Sequence, residues 1–365
     1  MKLDLNRRRI LSTGVAAAVI GLVGAVPTQA AETIKLTAMD GYPAKAMWVK
    51  EFINYFIPEV DKALAAKGNY KIEWQQAWGG TIVKKKGVLE GLKLGLGDIG
   101  VVTTVFHNDK LPLQAIAYVT PFVTVNPKLV AQTVDGLVEK YPAYRAAFAA
   151  QNQVYLTNAV VLDTYQMFAN KPLNGLADFK GIKVAGAGYN LRYLEGLGAA
   201  GVGGSLVTYY NKLKTGVVDA AMIWPEAAVT FKIFEVAPHM LDANIGTVNS
   251  KAITMNADSW KKLPPEVQGV IKEVAVAYRD HVADVASARA SKSIEKFKAN
   301  GGTVVKLSDA ERVEWAKTMP NIAIQWADGL EKKGIPGRKI LSDYMATLKA
   351  AGETPVRDWA AEGMN

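Results

Sequence analysis

Leu92-Lys93-Leu94-Gly95-Leu96-Gly97-Asp98-Ile99-Gly100-Val101-Val102 is echoed later in the chain by Leu213-Lys214-Thr215-Gly216-Val217-Val218-Asp219-Ala220-Ala221-Met222-Ile223. In both copies a helical pattern stops at a Gly, an Asp stands three residues on, and an apolar run follows. Glycine accepts the left-handed conformation that ends a helix. The run after the Asp is apolar at consecutive positions, as in a strand covered on both faces. Two ordinary helix-to-strand turns could match by chance. Taken as a repeat, they mark two lobes of like architecture.

Working outward from the first copy, Thr33 to Met39 alternates with period two and predicts a strand. Pro43 to Lys67 is an amphipathic helix pattern that stops at Gly68. Tyr70 to Trp74 and Asp98 to Val105 predict further strands, with Val83 to Leu94 helical between them. Around the second copy, Gly181 to Ala185 and Ala220 to Trp224 predict strands, and Asn190 to Gly198 and Ser205 to Lys214 predict helices. Strands alternating with helices give an α/β fold with largely parallel sheets. Val154 to Phe168 and Asn249 to Asn256 look like crossings between lobes. Pro264-Pro265 opens a helical pattern that continues to Asn300, before Gly301-Gly302. At 1.5 Å per residue it is roughly 50 Å long, more than one small lobe needs. Thr303 to Leu307 predicts a strand, Ser308-Asp309-Ala310-Glu311 a capping box, and 309–333 (with Pro320 inside) and 337–350 two last helices. The expected division is residues 32–157 plus 247–260 as lobe I and 158–246 as lobe II. Residues 264–300 then form a lobe-spanning helix, and 301–365 pack on the lobes.

Composition removes several kinds of chemistry. The 365 residues include no cysteine, so disulfides, thiolate metal sites and cysteine nucleophiles are excluded. His107, His239 and His281 are too far apart in sequence for a helical metal pair. Net charge is +9, but the charges are interspersed. Lys84-Lys85-Lys86, the densest basic run between residues 32 and 365, reads as a solvated face rather than a nucleic-acid stripe. Gly95, Gly97 and Gly100 match a dinucleotide fingerprint only in spacing, because they precede a strand rather than follow one. Gly196, Gly198 and Gly201 have no acidic residue at the required distance. No phosphate loop, nucleophile elbow or zinc-protease helix motif is present. The expectation is a chain without cofactor, metal or catalytic role.

Residues 1–30 read as an export signal. Lys2 and Arg7-Arg8-Arg9 form a basic start, Ile10 to Val26 is mildly apolar, and Pro27-Thr28-Gln29-Ala30 ends in a small residue. Asn6-Arg7-Arg8-Arg9-Ile10-Leu11 resembles a twin-arginine signal, with Asn and Ile at positions where Ser or Thr and Phe are usual. An ordinary secretory signal is the alternative. No later stretch has the ~20 apolar residues of a membrane span. The mature chain is therefore expected in the periplasm, with a monomer favoured. Two exported lobes joined by strand crossings form a hinge, and the cleft between them is the natural place for a small solute. Trp78, Phe106, Tyr165, Tyr189 and Trp224 fall at expected cleft-facing ends, with Gln166 and Asn190 as polar companions. Core packing is the competing explanation for each aromatic.

Larger motifs sharpen this. The chain resembles the dicarboxylate-type solute receptors of TRAP transporters, the tripartite ATP-independent periplasmic importers. The marks are the Leu-x-x-Gly-x-x-Asp turns at Gly95 and Gly216, Pro121-Phe122, and Asn170-Lys171-Pro172. Leu176-x-Asp178-Phe179-Lys180-Gly181-Ile182-Lys183 and Ser259-Trp260-x-x-Leu263-Pro264 complete them. The resemblance covers nearly all of 32–355. It implies a hinged Venus-flytrap fold and delivery of a bound organic acid to a membrane permease. It also implies an arginine two residues beyond Lys183, gripping the ligand carboxylate with two hydrogen bonds. Ala185 stands there instead. Some relatives carry another arginine five residues before the Asn-Lys-Pro, and Tyr165 stands there. Arg192, near the start of the following helix, is a candidate to rebuild the clamp. Trp224 and Glu226 lie in the segment that the resemblance places along the pocket. Glu226 could instead face an amine held by cation–π contact, so acid and amine ligands both stay open at this point. A receptor of another importer class and a secreted enzyme are the remaining alternatives.

Overall fold

A computed structural model describes residues 31–361. The export-signal reading of residues 1–30 lies outside these residues.

Two sheets form the molecule. The first has strands β1 (Glu32–Met39), β2 (Tyr70–Ala77), β3 (Ile99–Thr103) and β4 (Gln153–Ala159). The second begins with β5 (Gln166–Ala169), β6 (Lys183–Gly186), β7 (Ala200–Gly203), β8 (Ala220–Ile223) and β9 (His239–Asp242). The chain then returns to the first sheet as β10 (Lys251–Asn256) and to the second as β11 (Thr303–Lys306). The orders are β2-β1-β3-β10-β4 and β11-β9-β5-β8-β6-β7. β1 is parallel to β2 and β3, and β6 to β7 and β8, while β10 and β5 run antiparallel to their neighbours. The chain passes between sheets after β4 and again before β10. These passages are the hinge.

The repeated turn has one physical basis in both sheets. Gly95 and Gly216 have φ of +71° and +70°, the left-handed stop that glycine permits. Each following Asp then bonds to the neighbouring parallel strand through its backbone N–H and its carboxylate. The Asp98 carboxylate accepts from the Thr37 backbone N–H at 2.7 Å, and its own N–H donates to the Thr37 carbonyl at 2.9 Å. Asp219 does the same with Lys183, at 2.8 Å and 2.8 Å. The two copies therefore close the same strand pairing, β1 with β3 and β6 with β8.

Helix Pro265–Ala299 spans 35 residues and packs against both lobes. Phe297 meets Phe168 of β5 edge-on at 5.3 Å, while Tyr278 donates to the Trp48 carbonyl in the first lobe at 2.6 Å. The C-terminal arm also touches both lobes. Trp315 donates to the Tyr193 carbonyl at 2.6 Å, and Trp326 to the Pro112 carbonyl at 2.8 Å.

Several helices differ from the periodic pattern. The 309–333 pattern is two helices, Asp309–Thr318 and Ile322–Glu331, because Pro320 cannot continue the first. Instead of a helix over Asn190–Gly198 there is a 3₁₀ segment, Gly188–Leu194, since Gly196 and Gly198 leave little to propagate an α-helix. The Val83–Leu94 pattern forms only as Val88–Lys93, leaving Lys84-Lys85-Lys86 in a loop. In the Pro43–Lys67 pattern the helix begins at Met47 and widens to a π turn over Phe52–Phe56. Among the described residues no helix is long and apolar enough to cross a membrane.

Candidate functional site

Between the lobes lies a cavity lined by residues of both. It sits beyond the carboxyl ends of parallel strands, where α/β sheets commonly place ligands. The first lobe supplies Tyr42 after β1, Thr103 at the end of β3, then Val105, Phe106 and Tyr118. The second supplies Tyr165 before β5, Ala187 and Asn190 after β6, Tyr209, Met222 on β8 and Trp224 just after it. Tyr165 and Trp224 meet edge-on at 6.0 Å. Burial pushes the phenols of Tyr118, Tyr165 and Tyr209 up, so all stay protonated. The wall is aromatic, with hydrogen-bonding groups set into it.

One cation lines this wall. Lys251 is the first residue of β10, where the returning crossing enters the first sheet, and it is only 3% exposed. Its ammonium donates to Thr103 Oγ1 at 2.8 Å and lies over the Trp48 and Tyr42 rings, 3.9 and 4.9 Å from their centroids. Burial pulls its pKa well below the usual ammonium range, and the charge of Asp40 opposes that shift. Burial in turn raises Asp40. The Asp40 carboxylate accepts from the Tyr42 backbone N–H and from Trp48 Nε1, both at 2.8 Å. It thus holds the two rings that flank the lysine and does not line the cavity. Beside Lys251 the buried hydroxyl of Ser250 has no hydrogen-bond partner among the described residues. A buried cation over aromatic faces with a free hydroxyl next to it is a site for an anion.

Of the residues singled out in the sequence, Phe106, Tyr165, Asn190 and Trp224 come together on this wall. The other five do not line it. Arg192 is not a rebuilt clamp: its guanidinium bonds to Glu195 at 2.7 and 3.1 Å and to Gln325 at 2.7 Å. Glu226 accepts from Thr230 at 2.7 Å and Trp224 at 3.2 Å, so no carboxylate faces the cavity as an amine partner would require. Gln166 is buried in the hinge, donating to Asp242 at 2.7 Å and accepting from the Ala243 and Asn244 N–H groups. Trp78 bonds to Gln76 and packs on Phe52, and Tyr189 is half-buried outside the cavity. Sequence reasoning missed Lys251, Tyr42 and Tyr209. The signal for Lys251 was a lone charge inside the otherwise uncharged run Ser250-Lys251-Ala252-Ile253-Thr254-Met255.

The profile of the bacterial extracellular solute-binding protein family 7, DctP, matches residues 43–328. The chain belongs to this family. The proteins of family 7 that it resembles are solute receptors. The chain is 27% identical over 146 residues to the ectoine-binding periplasmic protein TeaA of Halomonas elongata, covering 39% of this chain and 41% of that one. It is 24% identical over 217 residues to the sialic acid-binding periplasmic protein SiaP of Vibrio cholerae, covering 57% and 65%. Both matches span less than two thirds of the relative. Among solved structures, a TRAP solute binding protein from Rhodoferax ferrireducens with copurified benzoate superposes with a TM-score of 0.78 at 18% identity, over 87% of this chain and 98% of that one. A TRAP periplasmic solute binding protein from Desulfovibrio salexigens gives 0.74 at 23% identity, over 87% and 96%. The expected α/β, two-lobed family fold with a lobe-spanning helix is thus the observed one.

Proposed function

We propose that this chain is the periplasmic receptor of a TRAP importer, and that it captures a small organic acid bearing a ring and hands it to the membrane permease. The observation that carries this reading is Lys251, a buried cation without a carboxylate in ion-pair contact among the described residues, aimed into an aromatic cavity between hinged lobes. Lys251 takes the role that the family arginine would have had at Ala185, from a different strand. The solute's carboxylate would accept from Lys251 and Ser250, and its ring would stack among Tyr165, Trp224 and Phe106. An ammonium is a point donor rather than a fork, so it asks less of carboxylate orientation than an arginine does. The related structures with benzoate and with mandelate bound support an acid of this kind. An amine ligand has no counter-charge on the cavity wall, so an amine receptor is not favoured. Residues 1–30 would direct export, through the twin-arginine pair Arg7-Arg8, and be removed.

Thermal unfolding of the refolded, ligand-stripped protein against aromatic, hydroxy, sugar and dicarboxylic acids and small amines tests this. A ligand at 100 times its Kd adds about 2.7 kcal/mol and raises the midpoint by several degrees. Shifts with acids that disappear in Lys251→Met support the reading. Shifts with amines alone, or acid shifts that survive Lys251→Met, overturn it.

A further inference from the structure

The lysine run that reads as a solvated face stands at the mouth of the ligand cavity. Lys84, Lys85 and Lys86, on the first-lobe loop before helix Val88–Lys93, face Lys212 and the Gly203-Gly204-Ser205 turn of the second lobe. Between them is a space of about 620 Å³. Four lysines from two lobes line it, and none forms an ion pair among the described residues; Lys212 donates to the Gly203 carbonyl at 2.6 Å and Lys84 to the Gly80 carbonyl at 3.4 Å, which leaves each ammonium further donors. Lys85 is pulled below its ordinary value by burial first and then by Lys86 and Lys84. Like charges brought together without a counter-charge oppose closure of the lobes.

Ser205 links this space to the inner cavity, since it borders both. It is 2% exposed, and its hydroxyl has no partner among the described residues. It is also the N-cap of helix Leu206–Lys214, nine residues long, whose first-turn N–H groups carry the positive end of the helix dipole. The loop is fixed where it must be. A Cβ on Gly41 would come within 2.1 Å of the Lys85 backbone nitrogen, so the two backbones are in direct contact. Lys86 lies 5.4 Å from the Phe106 ring centroid, and Phe106 lines the inner cavity.

We propose that the mouth is a second anion site, in which Lys84, Lys86, Lys212 and the Ser205 hydroxyl hold an oxyanion group and thereby let the lobes close. The group is either the outer acid of a two-headed solute or a free inorganic oxyanion. This rests on the receptor reading for the inner cavity only, because the outer site can be filled independently.

The test uses the mature protein with two probes, titrated at low ionic strength and followed by calorimetry. Inorganic phosphate probes the free anion, and benzoate against terephthalate probes an outer acid group on a solute. Three proteins are compared: the unaltered chain, Lys84→Gln/Lys212→Gln, and Lys251→Met. Phosphate binding that weakens at least about tenfold in the double variant but persists in Lys251→Met places a free oxyanion at the mouth. A terephthalate advantage over benzoate that vanishes in the double variant places the solute's own outer group there. If phosphate does not bind and the double variant changes neither acid, the second site is overturned, even if Lys251→Met still abolishes acid binding. If Lys251→Met leaves acid binding intact while the phosphate result holds, the inner-cavity reading falls and the mouth site stands.

Discussion

Lys251 is costly to bury, and the proposed carboxylate site depends on it. Its ammonium is buried with Thr103 Oγ1 as hydrogen-bond acceptor, and its pKa is pulled down by burial. A bound carboxylate would raise that pKa, so binding takes up a proton wherever the free lysine has lost one. Affinity for an acid should therefore fall as pH rises through the lowered Lys251 value, up to about tenfold per unit. Calorimetry across neutral to alkaline pH checks this, and an affinity flat over that range would contradict it. Asp163, in the crossing after β4, carries a separate pH effect. Burial pushes it up to about 6, the charges of Asp242 and Glu226 add to this, and hydrogen bonds from the Thr164 and Asp163 N–H groups oppose it. A folded value above the unfolded one means its favourable contribution is full below about pH 4 and lost as pH rises through about 6. Asp163→Asn should stabilise the protein by on the order of 2 kcal/mol at pH 8 and much less at pH 4. Unfolding midpoints at the two pH values report this, and an equal change at both would rule it out.

At the scale of elements, local signals were strongest where backbone chemistry alone decides. Ser308-x-x-Glu311 forms the capping box read from sequence, with the Glu311 N–H donating to Ser308 Oγ at 3.2 Å and the Ser308 backbone N–H donating to the Glu311 carboxylate at 3.4 Å. Ser308→Ala should cost about 1 kcal/mol, seen as a lower unfolding midpoint with ligand affinity unchanged. The glycine stops at Gly95 and Gly216 and the helix ending at Asn300 were legible for the same reason, whereas the pattern over 309–333 ran through Pro320 as one helix where the chain forms two. The segment after β6 was not. Its apolar spacing suits an α-helix, but glycines and packing against the first lobe make it 3₁₀ over Gly188–Leu194. From this segment Asn190 lines the cavity and Arg192 does not.

For the whole molecule, closure is controlled where the lobes meet. Gly188, in the second lobe, has φ of +55°, and a Cβ there would come within 2.5 Å of the Val105 carbonyl oxygen and Cγ2 in the first. Gly188→Ala should prop the lobes apart, weakening ligand binding by at least about tenfold while costing about 1–2 kcal/mol of folding stability for the left-handed backbone. Small-angle scattering should show ligand-induced compaction in the unaltered protein and little in the variant. Equal compaction in both would mean the contact does not limit closure. Helix Pro265–Ala299, which itself connects β10 in the first sheet to β11 in the second, and the C-terminal arm touch both lobes, so both must follow any such motion.

The amino-acid sequence by itself determined the repeated strand-closing turn, the two α/β lobes, the spanning helix and the family resemblance. Each rests on short-range backbone rules or on periodicity, which depend only on neighbours along the chain. It also supplied four aromatic and polar cavity residues, because strand ends are where such folds face their ligands. Only the tertiary structure decided which charge lines the cavity. Arg192 and Glu226 were paired locally, through Glu195 and Thr230, while Lys251 came into the cavity from the segment that reads in the sequence only as a crossing between lobes. A charge's role depends on what lies within a few ångströms of it, and for Lys251 those neighbours are Thr103, Tyr42 and Trp48, all from the other end of the sequence.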